Sequence, residues 1–241
     1  MRILGICGTN KRGSKKSASE WFLKKALEAA AELGAETESI RLINCRITPC
    51  LACNFCMCGK LCPLLEDPKD DAKEIFTKID KAAGIIFSFP VYGYQTPAIV
   101  INLLQRTRPF HELERAKATG LEIKAVKNNP FSGKAIGSLT VAAAIGLEGA
   151  LFGPLHILKA LGATPVACAG ISLLDPEIKN IYSIDGKFCV PNENIKAFFD
   201  RDFPSYEENE CAIDMARSVG KWVYRACRSE VFQRIRYRTK L

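Results

Sequence analysis

The stretch MRILGICGTNKRGSKKS, residues 1–17, decides how the rest of the chain is interpreted. Residues 1–7 are apolar almost throughout, which is typical of a strand buried on both faces of a parallel sheet. A loop with two glycines and four basic side chains leads into residues 17–33, whose apolar side chains recur at helical spacing. Ser17 or Ser19 can cap this helix, and Gly34 ends it. The chain therefore begins with a strand, a loop and a helix, as in a βαβ unit.

The same alternation continues along the chain. We predict further strands at residues 36–42, 84–89, 134–141 and 164–171, and further helices at residues 70–81, 96–105, 147–161 and 208–228. Five strands alternating with helices, without an internal repeat, predict an α/β protein with a flavodoxin-like, doubly wound, five-stranded parallel sheet. We expect one domain over residues 1–241. Residues 107–133 and 172–207 exceed ordinary connection lengths and are interpreted as insertions on it.

The composition is that of an ordinary globular protein. The 241 residues include 34 Lys and Arg against 26 Asp and Glu, a formal charge of +8, with 48% hydrophobic and 25% charged residues. The longest apolar run, residues 142–155, is interrupted by glycines and a glutamate, which excludes a membrane helix of roughly 20 residues. The first apolar stretch is too short for a signal peptide, so we expect a cytoplasmic protein.

Ligands of an open α/β sheet bind outside the carboxyl ends of the strands, so the loops after strands one, three and four form the candidate site. The first loop offers backbone N–H groups, hydroxyls and basic side chains ahead of a helix, which favours a phosphate group. Gly8 and Gly13 have the spacing of a nucleotide-triphosphate P-loop, but Ser14 stands in place of its lysine, and no GxGxxG dinucleotide fingerprint is present. The candidate phosphate-binding residues are Thr9, Arg12, Ser14 and Ser17.

The loops after strands three and four suit a flat aromatic ligand. Residues 90–97 carry two tyrosines that offer a stacking face and a glycine whose N–H can approach a ring edge. A proline–glycine turn with locally packed tyrosines is the alternative interpretation. Residues 142–149 are rich in alanine and glycine and can pass close beneath a ring. The candidate ring-binding residues are Pro90, Val91, Tyr92, Gly93, Ala142 and Gly146.

Five of the eleven cysteines fall within thirteen residues of the loop after strand two, residues 45–63. Four of them have the spacing C-x2-C-x2-C-x5-C, which resembles the bacterial ferredoxin run apart from a longer last gap. Zinc sites more often pair two separate CxxC knuckles, so we prefer a [4Fe–4S] cluster, with zinc and free or redox-active thiols as alternatives. Only one residue separates Cys58 from Cys56, which is an awkward spacing for two ligands of one cluster, so Cys58 is left out of the ligand set. The candidate ligands are Cys50, Cys53, Cys56 and Cys62.

Together these motifs resemble the iron–sulfur flavoproteins of anaerobic archaea and bacteria, within the larger group of NAD(P)H-dependent FMN reductases. The resemblance covers about residues 1–171 and implies FMN, a [4Fe–4S] cluster on the four cysteines, and a homo-oligomer, a dimer or tetramer, that brings them together. The single phosphate cradle also favours FMN over FAD. One departure is Gln105-Arg106, where Asp-Arg is usual. The resemblance rests on Gly8-Thr9-x2-Arg12-Gly13-Ser14, the cysteine motif, Pro90-Val91-Tyr92 and the helix start Asp70-Asp71.

The resulting hypothesis is an oxidoreductase in which a one-electron donor such as ferredoxin reduces the cluster, the cluster reduces FMN, and FMN reduces a small-molecule acceptor. The alternatives are an NAD(P)H-dependent FMN or quinone reductase with zinc or no metal on its cysteines, and a non-catalytic flavin-binding redox sensor. No Ser-His-Asp arrangement or carboxylate pair indicates a catalytic residue. The basic residues Arg234, Arg236 and Arg238 either form a solvated tail or steer an acidic ferredoxin. No nucleic-acid reader motif accompanies them.

Overall fold

The computed structural model describes residues 1–13, 17–120, 126–142, 146–172 and 206–230. Its five strands form one sheet, in which every pairing is parallel and the order is β2-β1-β3-β4-β5. This is the flavodoxin-like order, and it reverses between β1 and β3. The predicted flavodoxin-like sheet is therefore confirmed. The strands are β1 (Arg2–Cys7), β2 (Glu36–Arg41), β3 (Gly84–Pro90), β4 (Ala135–Ala142) and β5 (Thr164–Ser172).

Helices cover both faces of the sheet. One core cluster joins the sheet to α1 and α7, and another joins its opposite face to α3, α4, α5 and α6. Within the described residues, no helix is both long and apolar enough to cross a membrane. The helices are α1 (Ala18–Ala31), α2 (Pro63–Glu66), α3 (Ala72–Lys81), α4 (Ala98–Gln105), α5 (Arg108–Thr119), α6 (Leu147–Ala160) and α7 (Glu210–Arg228).

The burial of the central strands explains why they could be predicted from the sequence. Every residue of β4 is buried, and β3 is buried as far as Phe89, because helices cover both faces of a parallel sheet. Apolar and small residues therefore predominate in both strands, and the hydroxyl-bearing exceptions are Ser88 in β3 and Ser138 and Thr140 in β4. The edge strands β2 and β5 are more exposed. The predicted elements agree with the structure to within two residues at each end, and β3 extends one residue beyond its predicted end to include Pro90.

Two helices were not predicted from the sequence: the four-residue α2 and the longer α5, which lies in residues 107–133, expected only as an insertion. The ring of Phe110 packs edge-on against Phe76, with 4.9 Å between ring centroids, and Phe131 is fully buried beside them. The described part of this insertion therefore adds to the core. Residues 173–205 of the second predicted insertion lie outside the described residues.

Candidate functional site

The loop after β1 contains the predicted phosphate-binding residues. The N–H of Gly8 donates to the carbonyl of Ser88 at 2.8 Å, so the loop begins beside the end of β3. Thr9 is buried, and its hydroxyl accepts a hydrogen bond from the Lys11 N–H at 3.3 Å. Arg12 is exposed at the outer side of the loop. The inner part of the loop is thus held by hydrogen bonds, and its outer part carries exposed basic side chains.

The first turn of α1 completes this loop. Ser17 is buried, and its side chain caps the helix by accepting a hydrogen bond from the Glu20 N–H at 3.5 Å. A helix N-terminus presents unpaired N–H groups and the positive end of the helix dipole, which favours a bound anion. Residues 14–16, including the predicted Ser14, lie outside the described residues.

Arg41, at the carboxyl end of β2, fixes the outer part of the loop. Its Nη2 donates to the carbonyl of Lys11 at 2.6 Å, and its Nη1 donates to the carbonyl of Gly13 at 3.0 Å. Glu20 lies 3.3 Å from Arg41 Nε and provides a counter-charge. A loop fixed in this way loses less conformational entropy when a ligand binds. The sequence analysis missed Arg41, although its place beside the end of β1 in the flavodoxin-like strand order could have indicated it.

The loop after β3 is a tight turn that presents two tyrosine rings. Tyr92 and Gln95 exchange two backbone hydrogen bonds of 3.1 and 3.0 Å. Gly93 and Tyr94 lie between them with φ of 54° and 63°, so both central residues are left-handed, as in a type I′ turn. Tyr92 is 39% exposed and Tyr94 is 60% exposed. The rings are therefore free to contact a ligand at this edge of the sheet.

The loop after β4 packs against the tyrosine turn. Ala142 is buried at the end of β4, and residues 143–145 lie outside the described residues. Gly146 has φ of 87°, and a Cβ at this position would lie 2.9 Å from Tyr94 Cα and 3.2 Å from Val91 Cγ1. Only glycine allows such a close approach, so Gly146 sets the distance between the two loops.

The three loops contact one another at the carboxyl edge of the sheet. The Asn10 N–H lies 3.4 Å from the Tyr92 hydroxyl, to which it donates, and this links the first and second loops. Gly146 links the second and third. The described members of the predicted flavin site are thus brought together. Hydroxyls, a helix N-terminus and aromatic rings lie side by side, so the arrangement can bind an anionic group next to a flat ring.

The cysteine-rich loop after β2 is also present, and four of the five cysteines in residues 50–62 border one cavity. The predicted ligands Cys50, Cys53, Cys56 and Cys62 line this cavity, whereas Cys58 is not among its lining residues. All five are free thiols, and Cys56 is buried. Burial raises the pKa of the Cys56 thiol. Within the part of the chain that the structure describes, no three His, Cys, Asp or Glu side chains are arranged to hold a metal ion. The thiols thus share a cavity, but their sulfur atoms do not converge.

The backbone of the cysteine loop contains two residues in an uncommon conformation. Ala52 and Asn54 have φ of 50° and 61°, although neither is glycine. Among the described residues, only Tyr94 of the tyrosine turn shares this property. Non-glycine residues in this region cost roughly 1–3 kcal/mol each and cluster at ligand sites. The backbone strain of the described chain is therefore confined to the two candidate sites.

A buried ion pair anchors the start of the cysteine loop. Asp70 Oδ2 accepts from Arg106 Nη1 at 2.8 Å and from the Thr48 N–H at 2.9 Å, while Oδ1 accepts from the Ala72 N–H at 3.0 Å. Arg106 Nη1 also donates to the Thr48 carbonyl at 3.0 Å. The two side chains are 0% and 1% exposed. Burial alone would raise the pKa of Asp70, but these hydrogen bonds and the Arg106 charge together lower it.

Helix α4 connects the two candidate sites. Its first turn packs on the phosphate loop, since a Cβ added to Gly8 would lie only 2.3 Å from Val100 Cγ2. At its other end, Gln105 and the following Arg106 line the cysteine cavity. The 8 residues of α4 span about 12 Å at 1.5 Å per residue. The loops of the candidate flavin site and the four cysteines thus lie at opposite ends of one short helix.

Comparison with known proteins gives one family and several relatives. The family model described as NADPH-dependent FMN reductase matches residues 1–173. The chain is 36% identical over 110 residues to an iron–sulfur flavoprotein of Methanocaldococcus jannaschii, an alignment that covers 46% of this chain and 53% of the relative. It is 36% identical over 107 residues to an iron–sulfur flavoprotein of Methanosarcina thermophila, covering 44% and 52%. The chain spans about half the length of the curated relatives it matches.

Solved structures share the fold. RosB with bound 8-demethyl-8-formylriboflavin-5'-phosphate aligns with a TM-score of 0.62 at 16% identity, covering 97% of this chain and 81% of RosB. An FMN-dependent NADH-azoreductase of Bacillus anthracis, in complex with FMN, aligns with a TM-score of 0.56 at 11% identity, covering 94% and 99%. At these identities the similarity is one of fold.

Proposed function

The chain belongs to the NADPH-dependent FMN reductase family, a family of oxidoreductases, and on this premise we propose that it is a redox flavoprotein with both FMN and a [4Fe–4S] cluster. Its reaction is the passage of electrons between a one-electron donor such as ferredoxin and a small-molecule acceptor. One observation carries the proposal: four cysteines with cluster-ligand spacing border one cavity, at the far end of the helix that packs on the phosphate loop. The two relatives called iron–sulfur flavoproteins support the same cofactor pair.

FMN is assigned to the three contacting loops. The phosphate is assigned to the loop after β1, where the hydroxyl donors and Arg12 contribute more than the helix dipole does. Charge-assisted hydrogen bonds are worth about 1.5–3 kcal/mol each, against about 0.3–1 kcal/mol for the dipole. The flavin ring is assigned to the tyrosine turn and the loop after β4. The residues are Thr9, Arg12, Ser14 and Ser17 for the phosphate, and Pro90, Val91, Tyr92, Gly93, Ala142 and Gly146 for the ring.

The cluster is assigned to Cys50, Cys53, Cys56 and Cys62. The donor chemistry fits, because four thiols border one cavity whose wall also includes the cationic side chains of Arg106 and Arg108. Binding requires the four sulfur atoms to converge, since no three of the described side chains are arranged to hold a metal ion. Nearby positive charge favours the thiolate form that binds metal. When bound, the cluster exchanges single electrons and FMN completes two-electron chemistry on the acceptor. The protein supplies the ligands, the separation of the two groups and their electrostatic surroundings.

The partners follow from charge and from the family resemblance. A net charge of +8 favours an acidic electron donor such as ferredoxin, because opposite charges accelerate the encounter. Dimers or tetramers are proposed from the resemblance to iron–sulfur flavoproteins. The acceptor is a small molecule that reaches the exposed edge of the tyrosine turn.

A second candidate function is an NAD(P)H-dependent FMN or quinone reductase that binds zinc or no metal on its cysteines. It is favoured by the match of residues 1–173 to the family model described as NADPH-dependent FMN reductase. In this case the cysteine loop is a structural element next to the flavin site, and the electrons come from a nicotinamide cofactor.

Anaerobic purification tests the proposal. We expect FMN as the released flavin and about four irons and four sulfides per chain. Cys53→Ser should lose the iron, because a thiolate ligand is removed. Cys58→Ser is the matched control: it removes a thiol from the same loop but not from the cavity, and it should keep the iron. Stoichiometric zinc without iron would favour the second candidate function, and FAD as the released flavin would contradict the site assignment.

A further inference from the structure

The wall of the cysteine cavity contains a buried cation that the proposed function leaves unexplained. Arg106 is 1% exposed and lines the cavity. Its Nη1 is satisfied by Asp70 and Thr48. Its Nε and Nη2 are buried and have no hydrogen-bond partner among the described residues. Burying a cationic donor without an acceptor is unfavourable.

The two unpaired nitrogens form one edge of the guanidinium. Nε and Nη2 donate side by side in the plane of the group, which is the geometry that binds two acceptor atoms at once. The neighbouring walls of the cavity include Leu51, Leu64 and Pro109, which offer no side-chain acceptor. Asn54 and Gln105 in the same wall carry only neutral amide acceptors, so the four cysteine sulfurs are the source of anionic acceptors in the cavity wall.

We propose that this edge of Arg106 donates to the sulfur atoms of the group bound by the four cysteines, and that Arg106 thereby raises the reduction potential of the cluster. The inference rests on the proposed function. Potentials of iron–sulfur clusters depend on net charge, on hydrogen bonds to the sulfurs and on burial. Reduction adds one negative charge, and a buried cation stabilises that charge more strongly than an exposed one. Arg106 acts on the bound group directly in this scheme.

Asp70 modulates the same interaction with the opposite sign. Its carboxylate lies 2.8 Å from Arg106 Nη1 and compensates part of the positive charge. Removing the Asp70 charge leaves Arg106 as an uncompensated cation beside the cysteines, so the potential should rise. Removing the Arg106 charge leaves Asp70 as an uncompensated anion, so the potential should fall. A pair that only clamps the Thr48 backbone has no reason to produce opposite shifts.

The neighbouring Arg108 is expected to contribute less. It also lines the cavity, but it is only partly buried, and its Nη2 lies 2.7 Å from the sulfur of Met57. Solvent screens a partly exposed charge, so its effect on a group inside the cavity is weaker.

The test compares variants of the holoprotein purified without oxygen, using iron content and the midpoint potential of the cluster. Arg106→Gln should lower the potential by at least the equivalent of a tenfold change in the ratio of reduced to oxidised cluster, which is about 59 mV for one electron. Asp70→Asn should raise it. The double variant, which leaves no unpaired charge, should fall between them. Arg115→Gln is the control, because it removes an exposed arginine of α5 and should leave the potential unchanged.

The outcomes separate this inference from the proposed function. Wild-type protein without iron and sulfide would refute the proposed function and this inference with it. Wild-type protein with its cluster, together with an unchanged potential in Arg106→Gln or shifts of the same sign in the two single variants, would refute only the role of Arg106. If Arg106→Gln loses its iron, the midpoint potentials of Asp70→Asn and of the double variant decide. A higher potential in Asp70→Asn than in the wild-type protein and the double variant supports the role of Arg106, and an unchanged potential refutes it.

Discussion

Gly146 offers a sharp test of the proposed flavin site, because it holds the loop after β4 against the tyrosine turn. We predict that Gly146→Ala weakens FMN binding about tenfold. Gly146 has φ of 87°, and the added Cβ would lie 2.9 Å from Tyr94 Cα and 3.0 Å from Tyr94 Cδ1. Contacts below 3.0 Å require a displacement, and here one of the two atoms belongs to the backbone. The tyrosine turn must therefore move.

The magnitude has two parts. An alanine forced into the left-handed region costs roughly 1–3 kcal/mol of folding free energy, wherever it lies in the chain. The displacement of the tyrosine turn is the part that concerns FMN. Because Tyr92 and Gln95 are joined by two backbone hydrogen bonds, the turn moves as a unit and takes both aromatic rings away from the ligand. A loss of about 1.4 kcal/mol in binding corresponds to the tenfold change.

Gly34→Ala is the matched control. Gly34 has φ of 99°, so the substitution carries a comparable backbone cost, and its added Cβ would meet only the Tyr224 hydroxyl at an ordinary 3.5 Å among the described atoms. Gly34 follows α1 and lies before β2, away from the three site loops. Urea unfolding of the apoproteins should show a loss of stability in both variants. Titration with FMN, followed by flavin fluorescence, should show weaker binding in Gly146→Ala alone. Equal FMN affinity in the two variants would refute the assignment of the ring to these loops.

Three further predictions use other parts of the chain. At pH 7, Asp70→Asn should lower the free energy of unfolding of the apoprotein by about 3–5 kcal/mol, because Arg106 loses its buried partner. Since the pKa of Asp70 is lowered in the folded state, this stabilisation is present above the unfolded pKa of about 3.9 and is lost as the pH falls through the folded pKa. Urea unfolding in which the wild-type protein and Asp70→Asn differ by a constant free energy down to about pH 2 would contradict this prediction. Arg41→Met should weaken FMN binding at least about fivefold, because two carbonyls of the phosphate loop lose their donor; unchanged affinity in the flavin titration would show that the loop does not need this contact. Replacing the tail arginines, which lie outside the described residues, by serine should slow reduction by ferredoxin and flatten the dependence of that rate on salt. Stopped-flow reduction by a small neutral donor should stay the same. A variant that ferredoxin reduces at the wild-type rate in low salt would show that the tail does not steer the donor. These arginines are Arg234, Arg236 and Arg238.

The fold could be predicted because its signals are local. Strands β1, β3 and β4 are buried along nearly all of their length, so each appears in the sequence as a short, mostly apolar run. Helix α5 was missed for a different reason. Its apolar residues Phe110, Leu113 and Ala116 do recur at helical spacing and are buried. However, α5 begins only two residues after α4 ends, and it lies in a segment that was interpreted as an insertion.

The candidate site could be predicted only as far as chain direction and spacing determine it. The rule for parallel sheets located the three loops that do contact one another, and cysteine spacing separated four cavity-lining residues from Cys58. The side chains that fix these loops belong to no motif, and the flavodoxin-like strand order indicates only that Arg41 lies beside the end of β1. Arg41 binds carbonyls 28 and 30 residues away, and Arg106 binds Asp70 across 36 residues. Such pairings depend on which distant residues the fold places next to an arginine, and no periodicity or motif in the sequence indicates those residues.

Helix α4 gives a physical reason why the two candidate sites can act together within one chain. Its apolar side chains Val100, Leu103 and Leu104 are 0–2% exposed, so the core fixes the position of the whole helix. One end packs against the phosphate loop at Gly8, and the residue after the other end is Arg106, held by Asp70. The separation of the two sites is therefore set by a packed helix about 12 Å long and not by the loops. Substitutions within either loop should change the affinity for its ligand, whereas a substitution that displaces α4 should disturb both sites at once.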